Sequence, residues 1–412
     1  MDHAQEVSIL KALMKQLDEG KNLDAGVQYR VPTRNYVCPE QAEKEWSAFF
    51  RHHPQLIGLS ADLPEPGSFL TLEDFGTPVL ATRDRTGKFR AFLNACRHRS
   101  VKVATAARGK QNVFLCPFHH WSYASSGELL SIPNEAHFGS VDKSCNGLIE
   151  LPAVDRDGLL WVHPQVDGHL DVDALLGDVL ARELASYGLA EQEYLGGTTI
   201  RGDLNWKLAN DTFGETYHFG KLHKDTLGQI FYGNNLHFTE FGRHHRFVTA
   251  SKGIDALRAM PESEWNIAQG TFVMYHLFPN IQLICSKHSA TLIRIYPERG
   301  EAGRSVSQIS FYFSPELAAH ARDRDAEGFD PGAVYDQARR ELDPRPSLQA
   351  SLEVFASTIE QQYYVMGAMP QQAAESGQLP SLLFGRNEPA LHHFHQNYRE
   401  ALGEPPLVPE PN

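Results

Sequence analysis

The sequence predicts an α+β protein: a small all-β domain followed by a larger domain in which an antiparallel sheet is packed with helices. Three observations carry that expectation. Between Gly58 and Pro164, short apolar runs alternate with turn signals at Pro66-Gly67, Thr86-Gly87, Ser126-Gly127 and Asp157-Gly158, the texture of a compact β unit. Strand-like runs then recur between residues 198 and 313, and the chain turns helical, with interruptions, from Pro315 to Ala401, the α+β order of sheet and helices. The length of 412 residues suffices for two to three domain-sized cores.

Taken in order, residues 1–45 form an N-terminal helical segment: 5–19 is amphipathic at helical spacing, and 39–50 reads as a second helix. Residues 46–165 hold the all-β domain, with Leu159-Leu160-Trp161-Val162-His163 as its closing strand and His163-Pro164 as its boundary. Residues 166–412 form the larger domain. It opens on helical periodicity over 172–187, and its strand-like stretches are 198–208, 247–251, 271–277, 281–285, 291–296 and 305–313.

Composition excludes several classes of function. A net charge of −13 argues against a nucleic-acid-binding surface and against docking on an anionic membrane. No run reaches the roughly 18 apolar residues of a membrane helix. The start, Met1-Asp2-His3-Ala4-Gln5-Glu6, lacks a basic segment followed by an apolar one, so a cytoplasmic location is expected. Five cysteines make a disulfide framework a poor reading and metal ligation the better one for any paired Cys; Cys38, Cys145 and Cys285 are expected to be buried small apolar groups. Histidine is abundant at 20, and what matters is which of them sit at ligand spacing.

Two constellations answer that. The first is Cys96-Arg97-His98, a 17-residue gap, then Cys116-Pro117-Phe118-His119. Two chemistries use two thiolates and two imidazoles. One is a structural Cys₂His₂ zinc site. The other is a Rieske 2Fe–2S cluster, in which the thiolates hold one iron and the neutral imidazoles the other. Zinc sites of this type pair Cys with Cys and His with His in each half; here each half is mixed, which favours the cluster. Pro117, Phe118, Trp121 and Tyr123 are expected to shield it from water, and His120 is read as a surplus histidine, not a ligand.

The second constellation is Glu215-Thr216-Tyr217-His218-Phe219-Gly220-Lys221-Leu222-His223. If 209–219 is helical, Glu215 and His218 share a face. His223 would then lie about 140° from His218 around the axis, so the helix must end or bulge between them, and Gly220 is placed to allow it. Two histidines and a carboxylate with open positions suit O₂-activating non-haem Fe(II). A di-iron bundle would need a second Glu-x-x-His, which the chain lacks.

The stretches Ala95-Cys96-Arg97-His98-Arg99, Cys116 to Tyr123 and Gly127-Glu128-Leu129, with Asn205-Trp206-Lys207-Leu208, Tyr275 to Asn280 and Phe384 to His395, resemble the catalytic α subunits of Rieske non-haem iron oxygenases of the aromatic ring-hydroxylating type. One departure is His120, where the family usually has a small residue. The resemblance implies a helix-grip-like antiparallel sheet in the second domain, and a Rieske cluster on Cys96, His98, Cys116 and His119. It implies mononuclear Fe(II) on His218 and His223, with Glu215 as the carboxylate that bridges the two centres; many members have Asp there and a subset has Glu. It further implies O₂ as co-substrate and NAD(P)H as ultimate donor through a separate reductase, with or without a ferredoxin. A head-to-tail homotrimer is implied, with or without a small β subunit, as is a small organic, aromatic substrate that is hydroxylated, dihydroxylated or oxidatively demethylated. Asn210, Asp211, Phe213, Phe219 and Leu222 flank the iron and are expected, by position, to line its pocket.

The third iron ligand departs from the family. Where members show Glu-Asp-Tyr, this chain has Gln361-Gln362-Tyr363, which puts a neutral Gln362 at the Asp position. Glu360 is the substitute, yet on a helix it lies about 200° from Gln362, so the two cannot face one ion. Gln362 is the expected ligand and Glu360 the second choice. The departure keeps open an electron-transfer or scaffold protein with a degenerate iron site, and a structural-zinc protein remains a further alternative; metal stoichiometry and colour separate the three. His244-His245 and His392-His393-His395 are read as packing or loop histidines.

Overall fold

The computed structural model describes residues 1–326, 353 and 355–410. By its contacts the chain divides into two units, one made of Met1–Lys44, Leu176–Tyr187 and Leu195–Asn412, the other of Glu45–Leu175 and Gly188–Tyr194. The N-terminal segment is therefore part of the larger unit. Its helix, His3–Glu19, starts at a reciprocal cap: the Asp2 carboxylate accepts from the Gln5 amide at 2.8 Å, and the Gln5 side chain accepts from the Asp2 amide at 3.1 Å. Ile9, Leu10, Leu13 and Met14 form its buried stripe. The expected second helix is α-helical only over Pro39–Glu45 and continues as a π-helical turn, Trp46–Arg51, that buries Trp46, Phe49 and Phe50.

The smaller unit is all β apart from short helical turns. A five-stranded antiparallel sheet runs in the order Glu150–Leu151, Phe89–Leu93, Val79–Arg83, Ser68–Leu72, Arg108–Lys110. A three-stranded sheet, Val113–Leu115, Ser122–Ala124 and Leu129–Ser131, shares its core, where Leu80, Phe92, Phe114 and Tyr123 are buried beside Cys96 and Cys116. A third sheet joins Ala153–Arg156, Leu159–Val162 and Gln55–Leu59. Gly127 fixes the turn between the strands of the second sheet: its φ is +94°, and a Cβ there would sit 2.5 Å from the Phe92 ring.

The larger unit is built on a seven-stranded antiparallel sheet in the order Glu193–Gly202, Glu301–Phe313, Ser289–Glu298, Ile281–Cys285, Thr271–Leu277, His244–Ala250, His237–Phe241. The helices Pro315–Ala326, Tyr364–Glu375 and Pro389–Ala401 follow it. Two expectations fail locally. The strand expected over 198–208 stops at Gly202, because Asn205 caps a helix, Trp206–Asp211, by accepting from the Lys207 amide at 2.9 Å. Of the three spare cysteines only Cys285 is buried; Cys145 is exposed and Cys38 half-buried. Among the described residues no helix is long and apolar enough to cross a membrane.

The surplus histidines form a packed polar cluster. His245 stacks on His276, its partner across the strand pair, with ring centroids 4.8 Å apart, and His393 reaches His245 Nδ1 with its own Nδ1 at 3.0 Å. His393 Nε2 donates to the Gly242 carbonyl at 2.9 Å, so its Nδ1 is the acceptor and His245 Nδ1 the donor. Burial drives His276 down to about 3 and His245 well below the usual imidazole range. Both folded values lie below the unfolded one, so the unfolded chain takes up protons first as pH falls through 6.5. Stability present above that pH is lost on the way down towards 3. Between pH 7 and pH 5 the His276 ring should cost about 2 kcal/mol. Urea denaturation of the wild type and of His276→Gln at both pH values checks this: the wild type should lose about 2 kcal/mol more than the variant, and parallel losses would show that His276 ionises freely in the fold.

Candidate metal centres

In the smaller unit the two ligand loops are built alike. The Cys96 amide donates to the Val101 carbonyl at 2.8 Å and the Ser100 amide to the Cys96 carbonyl at 2.8 Å; the Cys116 amide donates to the Trp121 carbonyl at 2.9 Å and the His120 amide to the Cys116 carbonyl at 2.9 Å. Both loops turn through a left-handed residue at the same place, Ser100 and His120, each with φ of 58°. His120 is thus a turn position, and its imidazole is exposed.

The loops bring the four expected ligands together as two pairs. Cys96 and Cys116 are each 2% exposed and are free thiols. Burial, then the adjoining Cys116, pushes the Cys96 thiol up, while the Tyr123 hydroxyl at 3.2 Å pulls it down. The His98 and His119 ring centroids are 4.6 Å apart, and His98 stacks on Trp121 at 5.2 Å. Among the described residues no three His, Cys, Asp or Glu side chains converge on a point where one ion could sit. A thiol pair and an imidazole pair suit the two separate irons of a Rieske cluster. Trp121 and Tyr123 are buried as expected, but Phe118, at 51% exposed, and Pro117 face solvent. The Phe118 ring lies 3.8 Å from that of His119 at the edge of the imidazole pair.

In the larger unit the helix Trp206–Asp211 ends before the second constellation, and residues 212–226 run in turns, not in the helix expected over 209–219. Gly214 is pressed against Leu391, whose Cδ2 would lie 2.2 Å from a Cβ, whereas Gly220 has open space and no left-handed φ. The helix thus ends at Asp211, ahead of the constellation, and not at Gly220. Glu215 then organises its own turn: its carboxylate accepts from the amides of Tyr217 and His218, and from His218 Nδ1. The next turn closes when the Lys221 and Leu222 amides donate to the His218 carbonyl at 2.9 Å, which carries His223 back beside His218. Their ring centroids are 5.0 Å apart.

On both rings Nδ1 is occupied and Nε2 is not. Glu215 takes His218 Nδ1, and Gln362 Oε1 lies 2.5 Å from His223 Nδ1. Both Nε2 atoms are buried with no hydrogen-bond partner. Burial above all holds His223, which is fully buried, down to about 4, so it is neutral at physiological pH. Two buried, unpartnered nitrogens from adjoining rings are a donor set for a divalent transition metal, and a carboxylate or carbonyl behind each is the usual support of a ligating imidazole. The residues present therefore fit a mononuclear iron held by His218 and His223. Gln362 lies in a π-helical segment, Ile359–Tyr363, with its amide against His223; Glu360, in the same segment, is exposed.

Beside this pair lies an apolar cavity of about 340 Å³. Phe213 and Phe219 line it, together with Phe231, Phe272, Phe311 and Phe355 from strands and helices far away in sequence. Asn210, Asp211 and Leu222 are not in its wall. The reasons are local: the Asn210 amide oxygen accepts from Gln282 at 2.8 Å, and the Asp211 carboxylate accepts from His395 Nε2 at 2.9 Å and from the Tyr36 hydroxyl at 3.1 Å. Tyr363 was the residue missed. Its ring stacks on Phe213 at 5.4 Å and lies 4.5 Å from His223 and 5.1 Å from His218, so it joins the cavity to the metal pair. Its place next to Gln362 was the available signal.

Comparison with known proteins follows the same division. Residues 53–148 match the family model described as Rieske [2Fe-2S] domain, and residues 189–404 match the one described as ring hydroxylating alpha subunit (catalytic domain). The large subunit of anthranilate 1,2-dioxygenase from Acinetobacter baylyi is 28% identical over 232 residues, 55% of this chain and 46% of that protein. The oxygenase subunit of glycine betaine monooxygenase from Chromohalobacter salexigens is 28% identical over 200 residues, 47% of this chain and 43% of that protein. The matched segments thus span about half the length of these curated relatives. Among solved structures, the quaternary ammonium Rieske monooxygenase CntA in complex with L-carnitine superposes with a TM-score of 0.71 at 17% identity, covering 92% of this chain and 96% of that one. Naphthalene 1,2-dioxygenase from Rhodococcus sp. bound to indole superposes with a TM-score of 0.67 at 18% identity, covering 96% and 98%. At such identities the superpositions speak for the fold.

Proposed function

The chain belongs to the family of ring-hydroxylating alpha subunits with a Rieske domain, and from that premise we propose that it is the oxygenase component of a multicomponent system that inserts oxygen from O₂ into a small, uncharged aromatic substrate. The observation that carries this reading is the pair of buried, unpartnered Nε2 atoms of His218 and His223 at the edge of a cavity walled by phenylalanine. When bound, the Rieske cluster supplies single electrons and the mononuclear iron activates O₂.

The chain's own residues set the conditions for that chemistry. Glu215 holds the His218 Nδ1 proton and fixes that ring, while Tyr363 and Phe213 close one side of the metal pair and exclude water. Among the described residues the cavity wall contains no Lys or Arg, and their one carboxylate, Glu215, is engaged by His218. A substrate carboxylate, as in anthranilate, betaine or carnitine, finds no counter-ion among these described residues, and burying it unpaired is costly. The aromatic wall would hold a trimethylammonium group by cation–π attraction, so quaternary amines are the competing substrate class. Hydroxylation, dihydroxylation and demethylation are all open to such a site.

Electrons come from NAD(P)H through a separate reductase, with or without a ferredoxin, since the chain contains no dinucleotide-binding Gly-x-Gly-x-x-Gly turn. We place the chain in a head-to-tail homotrimer, in which Glu215 meets His119 of a neighbouring copy. Exposed Val113, Leu115, Phe118 and Phe138 beside the imidazole pair, and exposed Tyr217 beside His218, support such an interface. The test is coupled O₂ uptake by the reconstituted system. Neutral one- and two-ring arenes should stimulate NADH-linked uptake with product formed in step, and carnitine and betaine should not. Stimulation by the quaternary amines alone would overturn the substrate class, and a protein with about two irons per chain and no uptake would be an electron carrier instead.

A further inference from the structure

We propose that Gln362 is not the third ligand of the mononuclear metal but a positioning residue that acts through His223. The proposal rests on the metal-site reading above. It starts from a symmetry between two unlike side chains. Glu215 from the turn at 212–226 and Gln362 from the π-helical segment Ile359–Tyr363 each present an acceptor oxygen to the Nδ1 of one imidazole. An amide oxygen only accepts, so Nδ1 of His223 carries the proton and Nε2 the lone pair. Glu215 imposes the same tautomer on His218. Both Nε2 atoms are then left buried and unpartnered, on rings whose centroids are 5.0 Å apart, an arrangement that a cation relieves.

Geometry keeps Gln362 from doing both jobs. Nδ1 and Nε2 point away from the ring in diverging directions, so a cation on Nε2 lies across the imidazole from an oxygen that is 2.5 Å from Nδ1. Glu360 does not replace it, because its side chain is exposed. The protein donors to the ion are therefore the two imidazoles, and the carboxylate support comes from behind His218. The substitution of Gln for Asp changes the role of the position as well as its charge: the residue leaves the ion and becomes the outer partner of the second histidine, a role a neutral amide fills as well as a carboxylate does.

The experiment uses the full-length protein with its cluster intact, the mononuclear iron removed by a ferrous chelator and Co²⁺ supplied as the probe. In a crystal structure of the Co²⁺ form, Gln362 Oε1 should remain on His223 Nδ1, with the ion bonded to Nε2 of both histidines. In titrations, Gln362→Leu should bind Co²⁺ roughly 10- to 100-fold more weakly, and Gln362→Glu, which keeps the acceptor, should restore the affinity. The ¹⁵N chemical shifts of His223 in the metal-free protein give a readout that a merely structural role would not move: Gln362→Leu should release the Nδ1–H tautomer of His223 and leave His218 unchanged. Gln362 Oε1 found within about 2.2 Å of the ion would overturn the inference and leave the proposed function standing. Wild-type protein that takes up no Co²⁺ would overturn both.

Discussion

His223→Ala should leave a red-brown protein with about two irons per chain in place of about three, and substrate-coupled O₂ uptake should fall by about three orders of magnitude or more. His223 is fully buried, and its Nε2 meets no other group in the fold. Removing it leaves His218 as the sole protein donor, since Gln362 is turned to the ring that is gone and Glu360 is exposed. The cluster unit has its own core and its own loop hydrogen bonds, so its absorption and its EPR signal after reduction should be unchanged. Glu360→Gln is the matched control: iron content and turnover should equal those of the wild type. Iron content measured against protein, alongside the oxygen-electrode rate, decides the matter. Full iron and full turnover in His223→Ala would mean that the ion lies elsewhere.

How much of this was legible in the sequence depends on how local each feature is. The cluster ligands were legible because each half sits within one short loop, so spacing alone carries the information. His218 and His223 were legible for the same reason. Their backbone was not: the helix expected over 209–219 ends at Asp211, and the turn that follows packs Gly214 against Leu391, a contact with a distant helix that no local pattern records. The strand expected over 198–208 failed for an opposite cause, since Asn205 is a local cap and was available as a signal. The cavity wall was the least legible part. Neighbours of the iron ligands were natural candidates, yet Asn210 and Asp211 spend their side chains on Gln282 and His395, while Phe272, Phe311 and Phe355 come from segments that only the folded sheet brings together. Gln362 stood at the position where the family has a ligand, and sequence register cannot say which way an amide faces; its contact with Nδ1 is a fact of the fold.

Cys116→Ala should yield a folded, colourless protein that keeps the mononuclear iron, about one per chain, and has no electron supply, so that reductase-driven O₂ uptake falls to background. The fold should survive because alanine fills nearly the same small buried space, and the loop is closed by backbone bonds, from the Cys116 amide to the Trp121 carbonyl and from the His120 amide to the Cys116 carbonyl, that need no thiol. The cluster should not survive. Its thiolate iron would be left with Cys96 alone, the Tyr123 hydroxyl 3.2 Å from Cys96 Sγ being already engaged with that sulfur. Visible absorption, EPR after dithionite and iron per chain read the outcome directly. The same measurements on the wild type separate the cluster from the zinc alternative, since a zinc protein would be colourless before any substitution. A Cys116→Ala protein that stays red-brown and turns over at the normal rate would show that the buried thiol pair does not hold the electron-transfer centre, and the roles given to His98 and His119 would fall with it.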